Sequence, residues 1–251
     1  MTPITLVTGS SRGLGRNTAL SIARKGGDVL ITYRSRADAA DAVVTEITAM
    51  GRKAFALQLD TGKTDTFPAF AEAVKSALQE HWQRETLDHL VSNAGEGINV
   101  PLADINEDQF DLLMNVHVKG TLFLTQALLP LIADGGRIVN ISSGLTRMVF
   151  PGYGAYAAAK GAVEVLTRYM AKELGARGIA VNTVAPGAIE TDFGGGIVRD
   201  KAGLNQQIAA ATALGRVGLP DDIGPMIANL LSPDNRWVNA QRIEVSGGQG
   251  L

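Results

Sequence analysis

The N-terminal stretch from Ile4 to Tyr33 restricts the fold of this chain more than any other. Ile4–Val7 is a short apolar run, typical of a strand that is buried on both faces of a sheet. The glycine-rich sequence T-G-S-S-R-G-L-G follows at Thr8–Gly15, then a helical pattern, then a second β-rich run at Val29–Tyr33. A strand, a turn, a helix and a second strand over so short a distance form a βαβ unit, which places the two strands in parallel.

The alternation of strand and helix patterns continues to the end of the chain. Further apolar, β-rich runs lie at Ala54–Leu59, Leu87–Val91, Arg137–Ile141, Ile179–Val184 and Arg242–Val245. The 251 residues contain no linker and no internal repeat, so we predict one dinucleotide-binding and catalytic domain over residues 1–251. The predicted fold class is α/β, a single-domain Rossmann-like, doubly wound parallel sheet of about seven strands.

The glycine-rich turn after the first strand predicts a phosphate site. Glycines let the backbone turn tightly and approach a ligand, and the N–H groups at the start of the helix are free to bind an anion. The spacing G-x-x-x-G-x-G differs from the G-x-G-x-x-G dinucleotide fingerprint, and a glycine turn without a ligand has the same sequence. The cofactor contacts predicted here are Gly9, Ser11, Arg12, Gly13, Leu14 and Gly15.

Two arginines favour a phosphorylated cofactor. NAD sites usually carry an Asp or Glu at the end of the second strand, where it accepts a hydrogen bond from the ribose 2′-hydroxyl. This chain has Arg34 there instead, and Arg12 lies inside the glycine turn. Guanidinium groups suit a 2′-phosphate, so the sequence predicts NADP(H), although either arginine alone would be read as a surface residue.

Small and polar residues follow several other predicted strands. Ligands of open parallel sheets bind at the carboxyl ends of the strands, so these residues are expected to share one site. Asp60 can either bind a ligand there or cap a turn. The further cofactor contacts predicted at this edge are Asp60, Thr61, Asn93, Ala94, Gly95, Pro186, Gly187, Ile189 and Thr191.

The segment Ser143–Lys160 places a hydroxyl, a phenol and an ammonium together. Tyr156 and Lys160 are four residues apart in an alanine-rich helical pattern and therefore lie on one helix face. A nearby cation favours the phenolate, so we expect Lys160 to lower the pKa of Tyr156. By itself a Tyr–Lys pair at this spacing is more often a solvated helix edge.

Several motifs occur together and in a fixed order along nearly the whole chain: T-G-S-S-R-G-L-G, S-N-A-G, Asn115, Ser143, Y-A-A-A-K and A-P-G-A-I-E-T. In this combination the chain resembles the short-chain dehydrogenase/reductase family. It is especially similar to NADP-dependent ketoreductases of the 3-oxoacyl carrier-protein reductase type. The resemblance implies a homotetramer, with the nicotinamide lying across the carboxyl ends of the strands.

The resemblance also implies roles for individual residues. Tyr156 would be the general acid that protonates the substrate carbonyl oxygen, and Ser143 would hold that oxygen by a hydrogen bond. Lys160 would bind the nicotinamide ribose, and Asn115 would position a water that links Lys160 to solvent. Tyr156 and Lys160 thus also count as cofactor contacts, while Thr191 and the Pro186–Gly187 turn would place the carboxamide.

One departure from the family pattern precedes the last strand. The family often has Thr-Gly-Gln there, whereas this chain has Asn239, Ala240 and Gln241. If the turn requires a positive φ angle, the Cβ atom of Ala240 costs about 1 kcal/mol of stability.

The function predicted from these features is NADPH-dependent carbonyl reduction, or its reverse, alcohol oxidation. Two alternatives stay open: a non-catalytic NADPH-binding regulatory protein, and an epimerase or dehydratase that uses the same phenol. The small-molecule carbonyl or alcohol substrate is expected to be selected by a loop at Leu145–Tyr153 and a hinged flap at Phe193–Leu214.

Composition excludes several other classes. The formal net charge is −2 without any run of like charges, which argues against nucleic acid as a partner. The chain has no cysteine, and its three histidines have no metal-ligand spacing, so we expect no metal site and interpret His81, His89 and His117 as structural. Without a signal peptide or a long apolar run, the expected location is cytoplasmic, away from membranes.

Overall fold

Seven strands form one parallel sheet in the computed structural model, which describes residues 1–251. They are β1 (Ile4–Val7), β2 (Asp28–Tyr33), β3 (Ala54–Gln58), β4 (Leu87–Ser92), β5 (Ile132–Ile141), β6 (Ala180–Pro186) and β7 (Arg242–Val245). Their order across the sheet is β3-β2-β1-β4-β5-β6-β7, and every neighbouring pair is parallel. The direction of winding therefore reverses between β1 and β4, which is where open α/β sheets form their ligand crevice.

Helices cover both faces of this sheet. They are α1 (Gly13–Arg24), α2 (Ala37–Ala49), α3 (Phe67–Trp82), α4 (Glu107–Leu113), α5 (Gly120–Leu128), α6 (Gly154–Leu174), α7 (Ile197–Asp200), α8 (Ala202–Ala210) and α9 (Pro220–Leu230). Helices α1, α2 and α9 pack on one face, and α3, α5 and α6 pack on the other. The predicted single-domain, doubly wound fold is confirmed.

The central strands are rich in apolar residues because both of their faces are covered. Leu6 and Leu30 point into the core under α3, α5 and α6, whereas Val7, Val29 and Ile31 point into the core under α1, α2 and α9. All five side chains are fully buried. This leaves the middle of β1 and β2 no room for exposed polar side chains, and the polar groups available to a ligand follow the strand ends.

Two predicted elements differ from the observed ones. Strand β5 begins at Ile132 rather than at Arg137, and its register against β4 shifts between Leu87 and His89. The capping-box pattern of Asn106 and Gln109 predicts a long helix through Leu131, and the helix does begin at this cap, where the two residues exchange hydrogen bonds of 2.9 and 3.2 Å. It is interrupted at residues 114–119, which form a π-helical segment between α4 and α5.

The run Glu107–Leu131 is long and apolar enough, by length and composition alone, to cross a membrane. In the structure this run packs against α3, α6 and the sheet, with part of its surface buried. A core helix of a folded domain passes the same test, so this property by itself is weak support for a membrane span.

The sequence left open whether the turn before β7 requires a positive φ angle, and the structure shows that it does. Ala240 has φ = 60°, in the left-handed region where a Cβ atom is unfavourable. The turn is held by the side-chain oxygen of Asn239, which accepts from the N–H of Val181 at 2.9 Å and from that of Ala240 at 3.0 Å. The expected strain of about 1 kcal/mol is therefore present, and it lies at the edge of β6, away from Ser143 and Tyr156.

Candidate active site

A cavity of about 660 Å³ opens at the carboxyl edge of the sheet. Its walls come from the glycine turn after β1, from the residues that follow β2 to β6, and from α6. Every predicted cofactor residue lines it: Gly9, Ser11, Arg12, Gly13, Leu14, Gly15, Arg34, Asp60, Thr61, Asn93, Ala94, Gly95, Tyr156, Lys160, Pro186, Gly187, Ile189 and Thr191. Ser143 lines it as well, but the fourth predicted catalytic residue, Asn115, does not.

Two turns at this edge are fastened to each other. The hydroxyl oxygen of Thr8 accepts from the N–H groups of Asn93 and Ala94, both at 2.8 Å, and the amide of Asn93 donates to the Thr8 carbonyl at 2.8 Å. A Cβ atom on Gly15 would lie 2.3 Å from the Gly9 carbonyl oxygen, so only glycine allows the helix to start this close to the turn. The side chain of Asn93 is thus used to shape the glycine turn.

The two predicted phosphate-binding arginines lie at one end of the cavity. Arg12 is exposed and forms no salt bridge. Arg34 donates from Nη1 to the Oε1 atom of Glu96, a residue that the sequence analysis did not single out.

Asp60, for which ligand binding and turn capping were both open, accepts a hydrogen bond from the N–H of Gly62 at 3.0 Å. It therefore caps its turn, and it also lines the cavity.

Ser143, Tyr156 and Lys160 meet where β5 and α6 border the cavity. Tyr156 and Lys160 are only 5% and 4% exposed. The Nζ atom of Lys160 donates to the Ile141 carbonyl at 2.7 Å and lies 5.7 Å from the centre of the Tyr156 ring. Burial lowers the pKa of Lys160 to about 7, because the ammonium has lost its water.

The structure corrects the expected ionisation of the phenol. Burial raises the pKa of Tyr156 above its ordinary value, and a hydrogen bond with Ser143 opposes this only in part. Lys160, whose Nζ atom is bound to the Ile141 carbonyl, does not lower the pKa of Tyr156. Tyr156 is consequently protonated in this structure, which is the form that can donate a proton.

Asn115 lies in the π-helical segment and not in the cavity wall, and its predicted role of positioning a water stays a prediction. Val116 and His117, from the same segment, line the wall. A periodicity of 3.6 residues does not anticipate this segment. The one local sign is Gly120, where a Cβ atom would lie 2.6 Å from the Thr61 carbonyl oxygen, which shows how closely this segment approaches the neighbouring strand end.

His117, which the sequence analysis interprets as structural, lines the cavity beside Tyr156. It is 1% exposed, its ring lies 5.3 Å from that of Tyr156 at a near-perpendicular angle, and its Nε2 atom is 2.7 Å from the Glu96 carbonyl oxygen. Burial, helped by the charge of Lys160, lowers the pKa of His117 to about 3. The imidazole is therefore neutral, and because a carbonyl oxygen only accepts, its proton lies on Nε2.

The opposite end of the cavity is apolar and partly aromatic. The ring of Phe193 lies 5.6 Å from that of Tyr156, and the ring of Tyr153 lies 6.3 Å from it. Apolar side chains from both predicted substrate segments line the cavity: Leu145, Met148, Phe150, Ile197, Val198, Leu204 and Ile208. Leu214, the last residue of the predicted flap, is exposed and lies outside the wall.

The flap begins at three consecutive glycines. Gly194, Gly195 and Gly196 have φ angles of 60°, 75° and 75°, a left-handed run that only glycine adopts readily. Beyond it, α7 and α8 are attached by the amide of Asn205, which donates to Glu190 at 2.7 Å and to the Val198 carbonyl at 2.9 Å. This geometry fits the predicted hinge.

A charged cluster beneath the cavity holds the turn that carries Ser143. The Oε1 atom of Glu164 accepts from the hydroxyl of Ser142 at 2.7 Å, from that of Thr146 at 2.8 Å and from Nε of Arg242 at 2.8 Å. Arg242 also donates to the Thr146 hydroxyl at 3.0 Å. These bonds fix both ends of the turn, so the Ser143 hydroxyl is held at the wall. No cluster of side chains suited to a metal ion is present.

Comparison with known proteins gives consistent matches over the whole chain. A family model described as enoyl-(acyl carrier protein) reductase matches residues 9–249. The hydroxynaphthalene reductase-like protein Arp2 of Metarhizium brunneum is 35% identical over 256 residues, which cover 98% of this chain and 94% of Arp2.

Solved structures agree with this relationship. LugOII, a promiscuous reductase that catalyses keto-reduction at C1 during lugdunomycin biosynthesis, has a TM-score of 0.93 and 38% identity, covering 99% of this chain and 98% of LugOII. The angucycline C-6 ketoreductase LanV, solved with bound NADP, has a TM-score of 0.93 and 33% identity, covering 99% of this chain and 95% of LanV.

The position of Tyr156 leads to a first prediction. Tyr156→Phe removes the acidic proton and keeps the ring contacts with His117 and Phe193. Carbonyl reduction should fall by at least ~10²-fold, as expected for loss of a general acid, while NADPH binding persists. Steady-state turnover and a fluorescence titration with NADPH measure the two effects. A Phe variant that keeps near wild-type turnover would exclude Tyr156 as the acid.

Proposed function

The chain belongs to the short-chain dehydrogenase/reductase family and is an NADPH-dependent carbonyl reductase, and from this premise we propose that it reduces ketones on fused, largely aromatic ring systems. The observation that carries the proposal is the aromatic part of the cavity wall, where Tyr153 and Phe193 lie beside Tyr156 and Phe150 also lines the cavity. The relatives support it, since Arp2 is named for hydroxynaphthalene reduction and LanV for reduction of an angucycline.

The residues at the other end of the cavity fit NADP(H). The glycine turn offers backbone N–H groups at the start of α1, and Arg12 has a guanidinium without a salt-bridge partner beside them. We assign the 2′-phosphate to Arg12 and Arg34, and the nicotinamide ribose to Lys160. When bound, NADPH supplies the hydride that reduces the carbonyl carbon.

The chain's own residues then handle the oxygen of the substrate. Reduction of a carbonyl builds negative charge on that oxygen, which needs hydrogen-bond donors and a proton. The Ser143 hydroxyl donates a hydrogen bond to it, and one such donor is worth roughly 3 kcal/mol of barrier. Tyr156, kept protonated by burial, transfers its phenolic proton to the oxygen. The rings of Tyr153 and Phe193 keep water away from this step.

The aromatic wall also argues against an acyl carrier-protein thioester as the preferred substrate. A flexible thioester chain offers no flat surface for Phe150, Tyr153 and Phe193 to cover, whereas a fused ring buries its apolar faces against them. At about 25 cal/mol per Å² of apolar surface, one additional ring is enough to change specificity by tenfold or more.

The test is a comparison of substrates at fixed NADPH. We expect kcat/KM for 1-tetralone or a naphthoquinone to exceed that for an acetoacetyl thioester by at least about tenfold. Absorbance loss at the NADPH band gives the rates, and Tyr156→Phe provides the blank. Phe193→Ala should reduce the ratio of kcat/KM for the ring ketone to kcat/KM for the thioester, while a small aliphatic ketone is still reduced. A thioester that proves equal to or better than the ring ketones would overturn the proposal.

Cofactor preference gives a further prediction. Two guanidiniums on a 2′-phosphate contribute about 3 kcal/mol in this partly open site, which favours NADPH over NADH by roughly a hundredfold. Arg34→Asp removes one of the donors and repels the phosphate, while it offers an acceptor to the 2′-hydroxyl of NADH. We expect kcat/KM to fall steeply with NADPH and to hold or rise with NADH. If the ratio of kcat/KM with NADPH to kcat/KM with NADH is unchanged in Arg34→Asp, Arg34 does not bind the 2′-phosphate.

We also propose that the protein is a homotetramer. The family resemblance motivates this assignment. Apolar side chains also remain exposed on α4, α5 and α6, the helices that we expect to pack against other subunits: Phe110, Phe123, Val165 and Tyr169. Multi-angle light scattering at micromolar concentration should give four times the chain mass. Tyr169→Glu should reduce that mass by placing a charge in the contact, and a wild-type monomer would contradict the assignment.

A further inference from the structure

An ion pair spans the cofactor end of the cavity. Arg34 follows β2 and Glu96 follows β4, so the two residues belong to strand ends separated by β1. The Nη1 atom of Arg34 donates to Oε1 of Glu96, and both residues line the cavity. The arginine assigned to the 2′-phosphate therefore already has an anionic partner inside the protein.

The backbone carbonyl of each partner accepts a hydrogen bond from another side chain, and these bonds fix the positions of Arg34 and Glu96. The Arg34 carbonyl accepts from the side-chain amide of Gln58 at 2.9 Å. The Glu96 carbonyl accepts from Nε2 of His117, which is almost fully buried. Neither backbone bond depends on the charge of the Glu96 side chain, so the carboxylate can be neutralised without releasing the turn.

We propose that Glu96 is a cofactor-specificity residue whose carboxylate competes with the 2′-phosphate of NADPH for Arg34. This inference rests on the proposed assignment of Arg34 to that phosphate. A phosphate carries close to two negative charges near neutral pH, whereas Glu96 carries one. NADPH therefore displaces the carboxylate from Arg34, whereas NADH, which has no 2′-phosphate, leaves the Arg34–Glu96 ion pair intact. Glu96 thus weakens NADPH binding below the level that Arg12 and Arg34 would otherwise give.

The size of the effect follows from the exposure of the pair. The side chains of Arg34 and Glu96 are 55% and 33% exposed, and ion pairs of this kind form with an equilibrium constant of only about two to five. Glu96→Gln keeps the shape of the side chain and removes the competing charge. The dissociation constant for NADPH should fall about three- to fivefold, and that for NADH should not change.

A double-mutant cycle tests this directly. Calorimetric titrations with NADPH and with NADH are made on wild type, Glu96→Gln, Arg34→Ala and the double variant. If the carboxylate acts by occupying Arg34, the gain from Glu96→Gln disappears in the Arg34→Ala background. If the gain persists there, Glu96 repels the phosphate through space, and the proposed competition is wrong. Tighter NADH binding, or weaker NADPH binding, in Glu96→Gln would also overturn it.

Controls separate this inference from the assignments on which it rests. Glu46→Gln breaks a similarly exposed Arg–Glu pair, between Arg16 and Glu46, that lies outside the cavity wall, and it should leave both dissociation constants unchanged. Thermal melting of each variant confirms that it is folded. If wild type binds NADH as tightly as NADPH, the arginine assignment fails. If wild type prefers NADPH but Glu96→Gln has no effect, only the role of Glu96 fails.

Discussion

Burial on both faces of the parallel sheet is the constraint from which the arrangement of the site follows. Strands such as β1 and β2 are mostly apolar because helices cover each side, and their few polar side chains, Thr5, Asp28 and Thr32, are buried. Side chains that must meet a charged or polar ligand can then lie only beyond the strand ends. Since parallel strands all end at the same edge, chain segments as distant as the glycine turn and Thr191 come to line one cavity.

The same exclusion of water sets the protonation of the catalytic groups. It raises the pKa of Tyr156, lowers that of Lys160 to about 7 and lowers that of His117 to about 3. Each shift favours the neutral form, because a neutral group costs less to bury. A buried phenol that keeps its proton is suited to reduction, in which a proton must be given to the substrate oxygen. The protonation of the site and the stability of the core thus depend on one physical effect.

The sequence predicted the strands from repeating patterns and the site residues from their positions after strands. It did not predict contacts between side chains that are distant in the chain. Apolar runs located all seven strands, and the missing acid after β2 pointed to Arg34. The π-helical turn that contains Asn115 and brings His117 to the cavity wall breaks the helical period, so no periodic pattern could reveal it. Glu96 and the Glu164–Arg242 cluster were missed for another reason. Their partners lie 62 and 78 residues away in the chain, and only the fold brings them together.

Arg147 connects the substrate loop to the C-terminal segment. It donates two hydrogen bonds to Glu244, at 2.8 and 2.6 Å, and one to the Gln249 carbonyl at 2.8 Å, while the side chain of Gln249 accepts from the N–H of Ala188 at 2.9 Å. Opening of the loop would therefore have to displace the C-terminal segment or break these bonds first. The position of the substrate loop, and with it the width of the substrate end of the cavity, is thus tied to the last residues of the chain.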